Sequence, residues 1–144
     1  MNTFLITLSV FFLSFLNYAQ DHIQWTGKYD KESQKAVLTA KLEEGWHVYS
    51  QTTDESVGPV ATQFQLGANE ALIVGSPMIE PKPIDAYDAN FEGNVKYFEK
   101  QVSFEQLIIP SENTKATYKV TYMICNEEMC LPPVDKMITL NIVK

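Results

Sequence analysis

Apolar residues recur at every second position over much of the chain, and no stripe of helical spacing competes with them. Ala36, Leu38, Ala40 and Leu42 alternate with Val37, Thr39 and Lys41. Ala116, Tyr118, Val120, Tyr122 and Ile124 alternate with Thr117, Lys119, Thr121 and Met123. Ile138, Leu140 and Ile142 repeat the pattern near the end. Phe98, Val102, Phe104 and Ile108 share one face of a long run that Lys100 interrupts. A side-chain period of two is the signature of strands with one buried and one solvated face. Shorter strands are expected over 23–29, 46–50 and 61–66. Turn signals at Tyr29-Asp30-Lys31, Glu43-Glu44-Gly45, Gly58-Pro59 and Ser111-Glu112-Asn113 separate these runs. Many short strands at this spacing predict an all-β, antiparallel β-sandwich. The segment 75–93 stands apart, with Pro77, Pro81 and Pro83, little periodicity and several aromatics. It reads as a long irregular loop, and such loops in compact domains are often functional.

The apolar run 4–16 precedes the strand-forming region. It is shorter than the roughly 20 residues of a membrane-spanning helix but suits a secretory signal peptide. Ala19 offers a small residue at a cleavage point, giving a signal peptide over 1–19 and a mature domain over 20–144. No Cys follows the run, so a lipid anchor is not expected. No second apolar run approaches membrane length, so stable membrane insertion is not expected. The product should be periplasmic or secreted, where disulfides persist.

Composition narrows the partners. The formal charge is −7, and all 11 cations are Lys. An acidic chain without Arg is a poor ligand for nucleic acid or for an anionic membrane surface.

Chemistry concentrates in Met123-Ile124-Cys125-Asn126-Glu127-Glu128-Met129-Cys130-Leu131-Pro132-Pro133. If the flanking strands form a hairpin, Cys125 and Cys130 face each other, since opposed residues there sit about 4.5 Å apart at Cα. The alternation puts Ile124 inward, so Cys125 should face out or lie at the end of the sheet. Pro132 and Pro133 weaken pairing beyond Cys130, which keeps the pair reachable. Three uses are open: a structural disulfide, a redox pair and a metal site. Closing so short a ring gives only about 2 kcal/mol in the chain-entropy model, which weakens the structural case. Glu127 and Glu128 disfavour thiolate and should raise the thiol pKa, which suits a disulfide attacked by a partner better than an attacking enzyme. Met123, Met129 and Met137 could join two thiolates around a soft ion such as Cu(I), although the spacing is no zinc motif. His22 and His47 are isolated in the sequence and read as surface or hydrogen-bonded residues. No Gly-rich phosphate loop and no nucleophile elbow is present.

Over about 25–143 the sequence resembles the amino-terminal periplasmic domain of the thiol:disulfide interchange protein DsbD. The most specific part is Tyr122-Met123-Ile124-Cys125 followed by Cys130-Leu131-Pro132-Pro133 and a final strand. Supporting pieces are Gly45-Trp46-His47-Val48-Tyr49-Ser50, Gly58-Pro59, and 87–98 with Phe91-Glu92-Gly93. The resemblance implies an immunoglobulin-like sandwich with Cys125 and Cys130 as its redox pair at one end. It also implies that Phe91 caps the disulfide and that Tyr49 and Trp46 flank it. The partners implied are thioredoxin-fold thiol–disulfide proteins, and no cofactor is implied. Four residues separate the cysteines here, where the family pattern has five. Ala89 stands where that pattern places an acidic residue, with Asp88 and Glu92 only as neighbours. The transmembrane and thioredoxin-like domains of that protein have no counterpart in these residues, so the reductant is expected in trans. A binding module with a structural disulfide, and a copper carrier, are the competing readings.

Overall fold

The computed structural model describes residues 22–144; the expected signal peptide lies outside the described residues. These residues form eleven strands: β1 (Ile23–Asp30), β2 (Lys35–Leu42), β3 (His47–Tyr49), β4 (Gln63–Leu66), β5 (Leu72–Val74), β6 (Ile84–Asp88), β7 (Gly93–Glu99), β8 (Gln101–Pro110), β9 (Thr114–Tyr122), β10 (Ile124–Cys125) and β11 (Val134–Ile142). No helix is present among the described residues. The chain is an immunoglobulin-like antiparallel β-sandwich.

Three sheets build it, with orders β1-β2-β8-β5, β11-β9-β4 and β10-β3-β7-β6. The alternating faces do what their pattern predicts. Ala36, Leu38, Ala40 and Leu42 point inward from β2, and Ala116, Tyr118, Val120 and Tyr122 from β9. They meet Phe104 and Ile108 of β8 and Ile138, Leu140 and Ile142 of β11 in one large core. Burying each large apolar side chain contributes roughly 1.5–3 kcal/mol, so this core dominates stability. At Gly27 on β1 any larger side chain would collide with Leu38 and Ile138, so glycine lets β1 lie close against β11.

Two expected strands turn out to be pairs that change sheets. The run through Phe98 and Ile108 bends at Lys100, whose φ is 61°. β7 before it belongs to the third sheet and β8 after it to the first. Phe98, Val102, Phe104 and Ile108 still reach the same core because the bend wraps around it. The run through Tyr122 and Ile124 breaks at Met123, leaving β9 beside β11 and carrying β10 to β3. The segment 75–93 is less irregular than its sequence suggests. Its second half is β6, paired along its length with β7, and Ile79 bridges to Glu105. β6 is an edge strand with one neighbour, so it carries little apolar alternation.

The third sheet positions the site. Val48, Phe98 and Ile124 are cross-strand neighbours and project into the large core. The intervening residues therefore point to its other face. There, Tyr49, Val95, Met123 and Cys125 form a second, smaller buried cluster. Val57 and Val60, from the segment between β3 and β4, pack over it.

Candidate active site

Cys125 and Cys130 are bonded to each other. They form a bridging antiparallel pair with Cα atoms 4.0 Å apart. The Asn126 N–H donates to Met129 O at 2.9 Å, and the Leu131 N–H to Ile124 O at 3.0 Å. These two bonds bracket the cysteines, which makes them a non-hydrogen-bonded pair, the closest apposition a hairpin offers. Asn126 shapes the four-residue tip: its Oδ1 accepts from the N–H groups of Glu128 (2.9 Å) and Met129 (2.8 Å). Beyond the tip, Leu131, Pro132 and Pro133 lie opposite only Met123 and Ile124 before regular pairing resumes at Val134 and Tyr122. The extra residue bulges the proline side of the hairpin outward.

The two sulfurs are not equally placed. Of the two expected placements, Cys125 takes the second: it ends the edge strand β10, and it is completely buried rather than facing out. The alternation argument assumed that one face of the strand meets water. Here the sheet switch at Met123 places Ile124 in the large core and Cys125 in the small one, so both faces are covered. Cys130 is only partly buried and borders a shallow groove of about 490 Å³ with Phe91, Met123, Met129 and the two prolines.

Phe91 sits on the β6–β7 turn, which is closed by the Asp88–Gly93 pair. It is partly buried and packs against the small cluster, edge-on to Tyr49 with ring centroids 6.0 Å apart. Its other side lies on Gly58, whose φ of 135° and missing side chain make the approach possible. Asn90 ties this turn to the hairpin tip, its Nδ2 donating to Asn126 O at 2.9 Å. Glu127 and Glu128 flank the tip, and Glu128 also borders the groove beside Cys130. Trp46 is not with this group. It lies in the large core, stacked on His22 at 4.2 Å, while His22 Nδ1 contacts Glu43 at 2.6 Å. Met137 is exposed on β11 opposite Lys119 and does not line the groove that Met123 and Met129 border.

Two polar residues with no role at the cysteines expected from the sequence, His47 (read as a surface or hydrogen-bonded residue) and Asp88 (noted only as a neighbour of Ala89), complete the site. His47 is the cross-strand partner of Cys125, and Asp88 ends β6 on the same face. The buried Tyr49 hydroxyl donates to Asp88 Oδ2 at 2.7 Å and lies 3.1 Å from His47 Nε2. His47 Nε2 is 3.4 Å from the same carboxylate oxygen. Burial pushes the Tyr49 phenol far above its ordinary value, reinforced by the Asp88 carboxylate. Burial also holds His47 below the ordinary imidazole value, against the opposing pull of Asp88 and Glu99. Burial alone would raise Asp88, but hydrogen bonds from Tyr49 and Asn90 and the neighbouring His47 more than offset it and keep its pKa low. His47 at position i and Tyr49 at i+2 share a strand face, and the sequence does contain that signal. That β10 brings Cys125 beside them, and β6 brings Asp88 to them across β7, is a matter of long-range pairing. A groove of about 740 Å³ opens beside these groups, lined among others by His47, Asp88, Tyr97, Glu99 and Glu127. Among the described residues no group of three or more His, Cys, Asp and Glu side chains is gathered as a metal site.

The family model of the amino-terminal region of the thiol:disulfide interchange protein DsbD matches residues 17–142. The chain belongs to this family. Solved structures agree on the fold. The DsbD amino-terminal domain of Neisseria meningitidis in its reduced form superposes with a TM-score of 0.55, at 15% identity and 78% coverage of each chain. The same organism's complex between the DsbD and PilB amino-terminal domains gives 0.60 at 13% identity, covering 86% of this chain and 85% of that one. The amino-terminal periplasmic domain of ScsB from Proteus mirabilis gives 0.61 at 23% identity, and the match covers 84% of this chain and 47% of that chain. No curated protein matches the sequence. As in the DsbD amino-terminal family generally, thiol–disulfide chemistry is what the bonded cysteine pair provides.

Proposed function

We propose that this chain is an exported thiol–disulfide exchange protein that shuttles electrons between thioredoxin-fold partners through Cys125 and Cys130. Residues 1–19 act as its signal peptide, and residues 20–144 work in the periplasm. One observation carries the reading: in a member of this family, the disulfide closes a hairpin tip with one sulfur bordering a groove and the other sealed beneath it. A solved complex of a related amino-terminal domain with the PilB amino-terminal domain supports a protein partner docking on such a domain.

Cys130 is then the sulfur that is attacked. A partner thiolate bonds to Cys130 Sγ, the Cys125–Cys130 bond breaks, and its electron pair leaves on Cys125 Sγ. The partner's second thiolate attacks its own mixed disulfide, departs oxidised, and leaves two thiols here. Running the same steps backward delivers the two electrons to an acceptor. Phe91 shields the pair from stray thiols and must shift when a partner docks, which requires only that the partner bind the open form better. Tyr49 supports the closed ring, and Glu127 and Glu128 keep Cys130 protonated between encounters.

The test is direct. The oxidised protein, mixed with a reduced thioredoxin-fold protein, should lose its disulfide within seconds to minutes while its far-ultraviolet circular dichroism stays unchanged. Resistance to that partner, or unfolding upon reduction, would overturn the proposal. A Cys125→Ala variant leaves Cys130 able to hold the partner in a stable mixed disulfide, which identifies the partner from a periplasmic extract.

A further inference from the structure

Cys125 poses a chemical problem for any exchange reaction. It must become a thiolate to close the disulfide again, yet it is completely buried, and burial disfavours the charged form. The groups around it are mostly apolar: Val95, Met123 and the Tyr49 ring. The exception is its cross-strand partner. His47 on β3 pairs with Cys125 on β10, so their side chains leave the sheet on the same face with Cβ atoms about 5 Å apart.

The hydrogen bonds around His47 fix which of its nitrogens is free. Tyr49 has one hydroxyl proton, and it is donated to Asp88 Oδ2 at 2.7 Å. The phenol oxygen must then accept at its 3.1 Å contact with His47 Nε2. Nε2 therefore carries the imidazole hydrogen, with Asp88 Oδ2 in ion-pair range at 3.4 Å, and Nδ1 keeps a lone pair. Cross-strand pairing of Cys125 with His47, and the contact of His47 with Asp88, thus bring together from three strands the residue types of a nucleophile, a base and an orienting carboxylate. Burial holds His47 neutral, which suits a base, while the Asp88 carboxylate balances the imidazolium once it forms. The other charged or titratable groups around the groove that His47 borders are Tyr87 of β6, Tyr97 and Glu99 of β7, and Glu127 and Glu128 of the hairpin tip.

We propose that His47 is the proton acceptor for the Cys125 thiol, held in the required tautomer by Tyr49 and Asp88. The inference rests on the exchange reading above for its purpose, though not for its test. In the mixed-disulfide state, Cys125 Sγ–H gives its proton to His47 Nδ1, and the sulfur lone pair attacks Cys130 Sγ. The bond from Cys130 to the partner breaks, and its electron pair leaves on the partner's sulfur, which takes up the proton. Over the two exchange steps together, the cysteine pair is oxidised by two electrons and the partner's disulfide reduced by two.

The experiment isolates Cys125 in a Cys130→Ser background and follows ultraviolet thiolate absorbance against pH. With His47 present, thiolate should appear at a pH lower by about one unit or more than in His47→Gln. Asp88→Asn should shift the curve in the same direction as His47→Gln, by less. Coincident curves for His47 and Gln would overturn the proposal. A second measurement needs no change at His47. Its imidazole resonance, titrated by NMR, should have a higher midpoint in Cys130→Ser than in the Cys125→Ser, Cys130→Ser double variant, because only the former has a thiolate to stabilise the imidazolium. Equal midpoints would also overturn it. Neither measurement involves a partner, so a failed electron transfer with intact coupling sinks the shuttle and spares the proton acceptor.

Discussion

The third sheet has two buried faces that differ in kind. One faces the large core, where Val48, Phe98 and Ile124 meet Phe104, Tyr118 and their neighbours from two other sheets. The other carries Tyr49, Val95, Met123 and Cys125 under a covering of loops, with Phe91 and Cys130 only partly enclosed. The first is apolar packing between sheets, and its loss would unfold the domain. The second is thin, mixes apolar with hydrogen-bonded groups, and is roofed by a turn. A single sheet can thus be anchored on one side and chemically adjustable on the other, because the anchoring does not depend on the adjustable side.

Truncation is the strongest way to break this contrast. Phe104→Ala should cost about 3–5 kcal/mol in urea unfolding, as for a fully buried ring. Removing the disulfide with Cys125→Ala and Cys130→Ala should cost about 2 kcal/mol, the value for a short ring, with a further loss where the Cys125 site fails to close. Phe91→Ala should cost about 1 kcal/mol or less while small thiols reduce the disulfide faster. A stability loss at Phe91 equal to that at Phe104, with unchanged reduction kinetics, would make Phe91 a core residue and erase the distinction.

The same contrast accounts for what the sequence could disclose. The large core was legible because β2, β9 and β11 each have one solvated face, which leaves an alternation to read. The hairpin of the cysteines was legible for the same reason, and the family resemblance brought Phe91 and Tyr49 to it. The burial of Cys125 was not legible. Where a chain crosses between sheets, as at Met123, consecutive side chains enter different cores and the period of two disappears. β6 escaped because an edge strand needs little apolar surface, and its one buried polar residue, Asp88, resembles any turn carboxylate in sequence. The association of His47 with Asp88 depends on β3 and β6 both pairing with β7, a non-local fact.

Acid should sharpen the comparison further. The folded protein holds His47 below its unfolded value of 6.5, so the unfolded chain binds more protons. Stability contributed by the neutral imidazole is present above pH 6.5 and falls as the pH drops through and below that value. Asp88, also lowered, adds a second loss below its ordinary 3.8. Urea midpoints measured from pH 7 to pH 5 should decline in the native protein and flatten in His47→Gln, whereas Phe104→Ala should shift the curve without changing its slope. The smallest effect is expected at the tip. Glu127→Gln with Glu128→Gln should speed alkylation of the reduced protein by about twofold, since exposed charges act weakly through water. Slower alkylation in the double variant would instead mean that the two carboxylates activate Cys130.

The shortness of the ring closed by Cys125 and Cys130 has a thermodynamic counterpart. Folding and reduction are two legs of one closed cycle, so the bond stabilises the fold by the same amount that the fold stabilises the bond. With only four residues inside the ring, that mutual term is about 2 kcal/mol, equivalent to about 45 mV for a two-electron couple. Substitutions in the large core lower the oxidised and reduced forms together and so cancel from the potential. The potential of the Cys125–Cys130 couple is therefore set by the few groups within reach of the two sulfurs, and it can be tuned independently of how firmly the domain is folded.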